Sequence, residues 1–366
     1  MDIVDEQALY SYFVLVLGVL VLVIYFLTFT LILISLIGGI QSMSCCCVST
    51  TIKIPAINLA NLLQEKYPKV DVKVFCCGSS DYVNPMVQNM VQGYEAAQYE
   101  YVWISSSRIL ASTEILEDMV IKLQQPNVAL VHQMPFFTQA SGLGSVVEKI
   151  YFGCALARYY IAFNMLGLCC VTGMSYLFKK SLLDQLNGLG WFGKHYLAED
   201  YFLTKAMHEK GYKLVMSAYP AQQNVSSVSV SSFVDRMVRW LRLRLNMMTL
   251  VASVLEPLTE CLPLGFLASI TLYHFFNIDP LIFFCCHLAL FIIVDYIQLC
   301  TIQNGPLPFG KLKFVMGWSI RELLSIFIFL QAVVNPHRIK WGKHTYYVYH
   351  GGHTEVEHKS SDAFDL

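Results

Sequence analysis

The chain has 366 residues, of which 55% are hydrophobic and only 14% are charged. Soluble domains carry roughly 25% charged residues, so this composition is typical of a protein that lies partly in a lipid bilayer. The formal net charge of -1 excludes a broadly basic surface, and we therefore expect no nucleic-acid partner.

The first hydrophobic segment covers residues 10–40 and follows an N-terminal tail of residues 1–9. It carries no charge and exceeds the roughly 20 apolar residues that a spanning helix needs. We predict a transmembrane helix over residues 10–40. Asp2 and Asp5 precede it and Lys53 follows it, which favours a cytosolic position for the chain beyond this helix.

Residues 50–248 have the composition of a globular α/β domain, which we expect to face the cytosol. Residues 60–66 have a helical pattern, whereas residues 70–75, 101–104 and 128–131 have the patterns of short strands. Strands that alternate with helices indicate a mostly parallel sheet.

Hydrophobic character returns over residues 262–335, where three apolar runs predict about three membrane segments. The tail of residues 336–366 is polar, and we predict disorder beyond Thr354. The three runs are residues 262–276, 280–299 and 314–334.

Asp295, Arg321 and Glu322 lie within these apolar runs. Charge inside a bilayer is costly unless it is paired or faces a polar cavity. We interpret these residues as contacts between helices, and a path for the headgroup of a lipid acceptor is the alternative.

Glu199 and Asp200 form an acidic pair in the aromatic stretch of residues 196–202, which is too polar to lie within a membrane. A carboxylate can accept the proton of an attacking hydroxyl, which makes Asp200 a candidate general base. The alternative is an acidic residue at a helix N-terminus, where the helix dipole favours it.

Arg236, Arg239 and Trp240 form an Arg-x-x-Arg-Trp motif further along the chain. Residues three apart share one face of a helix, so both guanidinium groups can bind one diphosphate while the indole walls the pocket. Together with Arg242 and Arg244, the same residues are also typical of an amphipathic helix that rests on anionic headgroups. Both uses can coexist on one interfacial helix.

These motifs resemble the ceramide glucosyltransferase family, which comprises inverting membrane enzymes that transfer glucose from UDP-glucose to ceramide. The resemblance extends from about Pro55 to about Gly352 through a series of matching stretches. They are residues 66–71, 84–85, 93–95, 151–153, 158–160, 170–175, 198–202, 236–240 and 295–299.

The resemblance implies a glycosyltransferase A-type α/β domain with transmembrane helices, in a multi-pass protein of the Golgi or a related endomembrane. It implies Asp200 as the catalytic base, and it places Arg236, Arg239, Trp240 and Cys170 at the donor diphosphate. The implied partners are UDP-glucose, ceramide and the bilayer, and an oligomer is left open.

The chain departs from the family at both aspartate motifs, through which relatives bind a divalent metal, Mg²⁺ or Mn²⁺. The opening strand, helix and strand are missing, and residues 51–54 stand in place of the first Asp-Asp pair. Ser106, Ser107 and Arg108 replace the second motif, so an uncharged hydroxyl stands where relatives have a metal-facing carboxylate. Arg108 can neutralise a diphosphate directly or be an ordinary exposed loop residue.

These departures leave two hypotheses. The chain is either a ceramide glucosyltransferase with a reduced donor site, or a pseudoenzyme or truncated isoform that binds lipid or an active relative. A transporter or scaffold is disfavoured because the central half of the chain is too polar and too rich in motifs.

Overall fold

The computed structural model describes residues 2–41, 62–70, 73–75, 81–138, 140–168, 170–224, 228–342 and 344–357 of the chain. Helices are α1 (Asp2–Gln41), α2 (Pro85–Ala96), α3 (Thr113–Leu123), α4 (Leu143–Ile150), α5 (Ala157–Met165), α6 (Lys180–Asp184), α7 (Gly188–His195), α8 (Glu199–Glu209), α9 (Val230–Met247), α10 (Glu256–Leu258), α11 (Cys261–Phe276), α12 (Pro280–Gln303) and α13 (Lys311–Val334). Strands are β1 (Tyr101–Ser105), β2 (Val128–His132), β3 (Pro135–Phe137), β4 (Ser175–Lys179), β5 (Lys213–Met216), β6 (Ala221–Gln223), β7 (Arg338–Trp341), β8 (His344–Val348) and β9 (Thr354–Val356). Two π-helical turns, Tyr151–Leu156 and Val251–Leu255, and a helical stretch over residues 62–66 complete the described elements.

The central sheet has the strand order β1–β4–β2–β5. Strand β4 is antiparallel to both β1 and β2, whereas β2 and β5 are parallel. Two of the three strand pairings are antiparallel, so the prediction of a mostly parallel sheet is wrong for this sheet. The chain between β2 and β4 leaves and re-enters the sheet at the same end, since Tyr176 near the start of β4 pairs with His132 at the end of β2. Such a connection forces an antiparallel pair.

Two of the three strand predictions are confirmed, because β1 and β2 form where the sequence pattern predicts them. The strand predicted over residues 70–75 is wrong for residues 73–75, which adopt no strand in the described part of the chain. Its residues 71 and 72 lie outside the described residues. Residues 51–54, which replace the first aspartate motif, also lie outside them.

Three described helices are long and apolar enough to cross a membrane, namely Ser11–Ile37 within α1, α12 and α13. A bent pair, Val251–Leu258 and α11, meets at 71° and provides a fourth candidate. Helix α1 packs against α5, α11 and α12, and Ile24 and Phe291 are buried in one apolar cluster between these helices. The first and last thirds of the chain are therefore packed together.

The C-terminal segment forms a three-stranded antiparallel sheet of β7, β8 and β9. The prediction of disorder beyond Thr354 is wrong for residues 355 and 356, which belong to β9, whereas residues 358–366 lie outside the described residues. Ile339, Tyr346 and Val348 are buried in one cluster with Leu197. The polar composition of this segment conceals the alternation of buried and exposed residues that makes these strands.

Candidate active site

The carboxyl ends of β1 and β2 meet the start of β4 at one end of the sheet. The backbone N–H of Ser106 donates to the carbonyl of Met174 (2.9 Å), and that of Gln133 donates to the carbonyl of Ser175 (3.1 Å). The loop ahead of β4 thus lies directly beside the altered second aspartate motif. Loops at this end of a sheet are where α/β proteins commonly place their ligands.

Asp200 lies in the first turn of α8 and reaches this loop. Its Oδ2 accepts a hydrogen bond from the N–H of Gly173 (2.5 Å), and its Oδ1 accepts one from the N–H of Tyr201 (2.8 Å). A Cβ atom at residue 173 would lie 3.1 Å from Oδ2 and 3.3 Å from the Cβ of Asp200. Glycine at this position therefore permits the close approach of the carboxylate to the loop.

Glu199 is buried beside Asp200, with 3% of its surface exposed. Its Oε2 accepts a hydrogen bond from the amide of Asn84, which also donates to the carbonyl of Leu197 (2.9 Å). The Oδ1 of Asn84 caps α2 by accepting from the N–H of Met86 (2.8 Å). One amide side chain therefore joins the start of α2 to the start of α8.

Burial raises the pKa of both acidic side chains. It raises the pKa of Asp200, although the N–H groups of Tyr201 and Gly173 oppose the shift. Burial, followed by repulsion from Asp200, raises the pKa of Glu199 to about 8. Neither carboxylate makes an ion pair in the part of the chain that the structure describes. A buried carboxylate without a neutralising cation is a competent proton acceptor.

Two tyrosines lie close to this pair, and the motif analysis identified neither as functional. Burial, with the charges of Glu199 and Asp200, raises the pKa of Tyr176, whose hydroxyl has no hydrogen-bond partner among the described residues. The hydroxyl of Tyr160 accepts from the N–H of Thr172 (2.7 Å). Both phenols therefore stay neutral near neutral pH and can only donate or accept hydrogen bonds at this site.

The structure places Arg236 in an ion pair with the buried carboxylate of Glu148 on α4. Burial, followed by the positive charges of Arg239 and Arg108, lowers the pKa of Arg236 to about 10, and Glu148 stabilises the charged form against this shift. Arg108 and Arg239 thus both lie within electrostatic reach of Arg236. This cluster is the part of the predicted diphosphate site that the structure brings together.

Arg239 and Trp240 are also engaged by other side chains. The guanidinium carbon of Arg239 lies 5.2 Å from the ring centroid of Trp341 on β7, which is a cation–π contact. Trp240 packs edge-on against Phe152, with ring centroids 6.0 Å apart. The indole thus contributes to an apolar cluster behind the arginines.

Arg242 and Arg244, which the sequence also permits on a lipid surface, have partners within the protein. Arg242 donates to the carbonyls of Arg338 and Gln331 at 2.9 and 3.0 Å. Arg244 makes a bidentate pair with Glu256 at 2.5 and 3.0 Å. These contacts fix the end of α9 to the C-terminal half of the chain.

The altered second motif connects the acidic pair to the arginine cluster. Ser106 begins a turn in which the N–H of Ile109 donates back to its carbonyl (2.9 Å), and Ser107 and Arg108 are exposed on that turn. Ser106 contacts the loop that holds Asp200, whereas Arg108 lies near Arg236. No hydrogen bond or ion pair in the described ranges joins Asp200 directly to the arginines.

Cys170 is half-buried and lies in the same loop, three residues before Gly173. Its thiol is close enough to Tyr160 and to Arg244 to affect the ionisation of both. The structure therefore places Cys170 between the acidic pair and the end of α9.

The C-terminal sheet contacts both halves of this site. Tyr196 pairs with His353 in a β-bridge and stacks on Phe202 with ring centroids 3.8 Å apart. On the other side, the N–H of Gly351 donates to the carbonyl of Asn246 on α9 (2.9 Å). The sequence motifs did not predict this contact, because Gly351 and His353 lie more than 100 positions after the acidic pair.

The described residues do not fit a divalent metal site. No three histidine, cysteine, aspartate or glutamate side chains converge on one point within the described ranges. Ser106 offers only an uncharged hydroxyl, and both oxygens of Asp200 already accept hydrogen bonds. Mg²⁺ and Mn²⁺ favour several carboxylate or phosphate oxygens, so we derive no chemical step through a metal.

Comparison with known proteins identifies the family of this chain. The sequence profile of glycosyl transferase family 21 matches residues 46–354. The chain belongs to glycosyl transferase family 21. The family 21 match includes the acidic pair, the arginine motif and nearly all of the C-terminal sheet.

Among similar proteins are ceramide glucosyltransferase 3 and ceramide glucosyltransferase 1 of Caenorhabditis elegans. They are 37% identical over 81% of this chain and 36% identical over 83% of it, respectively. The ceramide glucosyltransferase of Komagataella phaffii is 26% identical over 78% of the chain and 73% of its own length. The chain spans 64% and 65% of the length of the two nematode relatives.

Proposed function

We propose that this family 21 protein transfers glucose from UDP-glucose to ceramide and forms glucosylceramide. The observation that carries the proposal is the half-buried Asp200 carboxylate, which amide groups orient and which has no cationic partner in the described part of the chain. The names of the similar proteins support the substrates, and the membrane-length helices support a lipid acceptor.

In the proposed reaction, the primary hydroxyl oxygen of ceramide attacks the anomeric carbon of glucose. As the new C–O bond forms, the hydroxyl proton moves to Asp200. The bond between the anomeric carbon and the diphosphate oxygen breaks, and UDP leaves with the electron pair. One displacement inverts the anomeric centre, so the product is the β-glucoside.

Arg108, Arg236 and Arg239 are the proposed binding residues for the diphosphate. A departing UDP gains negative charge, and fixed guanidinium groups stabilise such charge by hydrogen bonds that strengthen in the transition state. In this proposal Glu148 holds Arg236 in place before the donor arrives. Trp240 and Cys170 lie behind and beside these groups as positioning residues.

We also propose the placement of the chain in the cell. Helix α1 and helices α12 and α13 cross the membrane of the Golgi or a related endomembrane, and residues 50–248 form a glycosyltransferase A-type domain on the cytosolic face. The predicted boundaries of residues 10–40 and 262–335 as membrane regions belong to this proposal. The oligomeric state stays open. Use of Mg²⁺ or Mn²⁺, for which the described residues provide no carboxylate cluster, is tested by transfer activity after chelation and readdition.

The test of the reaction is a glucosylation assay in cells that lack their own ceramide glucosyltransferase. The intact chain should restore glucosylceramide, and Asp200→Asn should lower the rate by roughly 100-fold or more, the range for loss of a general base. Glu209→Gln, on the exposed end of the same helix, is the matched control and should keep full activity.

Two outcomes would contradict the proposal. Equal product from the intact chain and Asp200→Asn would remove Asp200 as the base. No product from the intact chain, at normal expression and with normal folding, would favour the pseudoenzyme alternative.

A further inference from the structure

A cavity of about 120 Å³ lies away from the acidic pair, between α9, the bent helix pair and α13. Its apolar walls include Phe233, Met237 and Phe329. Ile326 also lines it and is 41% exposed on the outer surface of α13. The cavity therefore opens onto an apolar surface that also exposes Leu330.

The polar wall of the cavity consists of two ion pairs. Arg244 pairs with Glu256, and Arg321 pairs with Glu260 at 2.5 Å. The two positive and two negative charges cancel. A ligand with a phosphate or an ammonium group would have to break one of these pairs, whereas an uncharged polar group can hydrogen-bond to both signs.

One donor in this wall is unsatisfied. Arg321 is 2% exposed, and its Nε has no hydrogen-bond partner among the described residues. The adjacent Glu322 also pairs with Arg321 but is not one of the residues that line the cavity. Buried polar atoms of this kind are costly unless a ligand or water satisfies them. The unpartnered Nε of Arg321 matches the carbonyl oxygen of an amide, and the lining carboxylates of Glu256 and Glu260 can accept from the amide N–H.

The cavity wall is connected to the loop that holds Asp200 by two adjacent tyrosines. Tyr159 shares a hydrogen bond with the hydroxyl of Thr259 (2.7 Å), the residue before Glu260. Tyr160 accepts from the N–H of Thr172 (2.7 Å), the residue before Gly173. Hydrogen bonds of these two adjacent tyrosines therefore link the residue next to Glu260 with the loop that holds the base.

We infer that this cavity binds the amide linkage of an uncharged two-chain lipid, with the acyl chain leaving past Ile326 along α13. The inference rests on the proposed function in that the lipid is the ceramide acceptor of the reaction. A cavity of roughly 150 Å³ holds a molecule the size of benzene, so this one holds an amide and a few methylene groups. The rest of the lipid lies outside it.

The test uses the full chain in detergent with a photoactivatable ceramide whose diazirine is on the acyl chain near the amide. Ser325→Leu fills the cavity from α13 without adding charge. It should lower ceramide labelling about fivefold or more and raise the KM for ceramide, with the KM for UDP-glucose unchanged. Leu323→Phe, at a position on the same helix that is 63% exposed, is the control and should label normally.

A second variant, Met237→Phe, fills the cavity from the opposite wall and should give the same selective loss. Unchanged labelling in both folded variants would overturn the inference, as would equal labelling by a photoactivatable phosphatidylcholine. Labelling does not require glucose transfer. A chain that labels but makes no glucosylceramide would therefore refute the proposed function while leaving this site intact.

Discussion

Two groups of carboxylates in this protein differ in the partners that stabilise them. At the end of the sheet, Asp200 and Glu199 accept hydrogen bonds from backbone amides and from Asn84. Among the apolar helices, Asp295 pairs with Arg158 at 2.6 Å and also accepts from the indole of Trp318 (2.8 Å).

The comparison separates a reactive acid from a structural one. A carboxylate held by amides keeps the ability to take a proton, whereas one that is paired with a buried arginine is committed to that partner. Asp295 and Arg321 therefore join separate segments of the chain, as the sequence interpretation proposed. Arg321 also lines the cavity of the inferred lipid site, whereas Glu322 pairs with Arg321 on the same helix. The same side-chain chemistry has two outcomes, which depend on whether a cation lies within reach.

Removing one partner of the Asp295–Arg158 ion pair should have the largest effect on stability. Asp295→Asn leaves the Arg158 charge buried without its partner, which should lower the free energy of unfolding by about 3–5 kcal/mol. Thermal unfolding of the detergent-solubilised protein measures this. The double variant Arg158→Met with Asp295→Leu removes both charges and should be more stable than the single variant. A double variant that is less stable than Asp295→Asn would contradict the role of the pair.

Displacing Asp200 and Glu199, which amide groups hold in place, should impair glucose transfer without unfolding the protein. Gly352→Ala puts a Cβ 2.7 Å from Cε2 of Phe202, which should displace the Tyr196–Phe202 stack and the start of α8. We expect transfer to fall about tenfold, consistent with the large cost of small misplacements of catalytic groups.

The adjacent glycine provides the control for backbone strain. Gly351 has φ of +87°, close to the +86° of Gly352, and a Cβ there meets no described atom within 4 Å. Gly351→Ala should therefore keep its activity. Equal losses in the two variants would assign the effect to strain and not to the contact with Phe202.

Neutralising Glu199 should change how stability depends on pH. Its pKa is raised from 4.5 to about 8, so the folded state holds this proton more tightly than the unfolded state. The stabilisation is complete below pH 4.5 and is lost as the pH rises towards about 8. Glu199→Gln should therefore gain stability relative to the intact chain between pH 5 and pH 8. If the free energies of unfolding of the two proteins change with pH in the same way, the raised pKa of Glu199 would be excluded.

The smallest effect should come from an exposed ion pair. Lys205 and Glu209 lie 3.8 Å apart on α8 with side chains 50% and 65% exposed. Pairs of this kind contribute about 0–1 kcal/mol. Glu209→Gln should leave the unfolding temperature within about 1–2 °C of the intact chain. A loss of stability as large as that of Asp295→Asn would contradict the expected difference between buried and exposed ion pairs.

Local pattern predicted much of this molecule, because β1, β2 and the apolar helices each follow from a short stretch of sequence. The position of β4 could not be predicted this way, since strand order depends on where the preceding connection returns. The pairing of Arg236 with Glu148 joins residues 88 positions apart. A motif of two arginines indicates a phosphate site, but it carries no information about a carboxylate on another helix.

The role of Asn84 shows the same limit at the site itself. Asparagine followed by proline indicates a helix start, because the side chain caps the helix and proline suits its first turn. The second use of the same amide, on Glu199, depends on tertiary contact across 115 positions. The sequence thus identified Asp200 as a candidate base but could not identify the groups that hold it.

The most direct test of Asp200 as the base is the pH dependence of kcat/KM for transfer by the purified protein. Burial raises the pKa of Asp200 above its ordinary 3.8, so the rate should fall as the pH drops through that raised value. In Asp200→Asn, the rate should be lower than that of the intact chain by roughly 100-fold or more, and it should lack this acid limb. An Asp200→Asn protein with the rate and the acid limb of the intact chain would contradict the account.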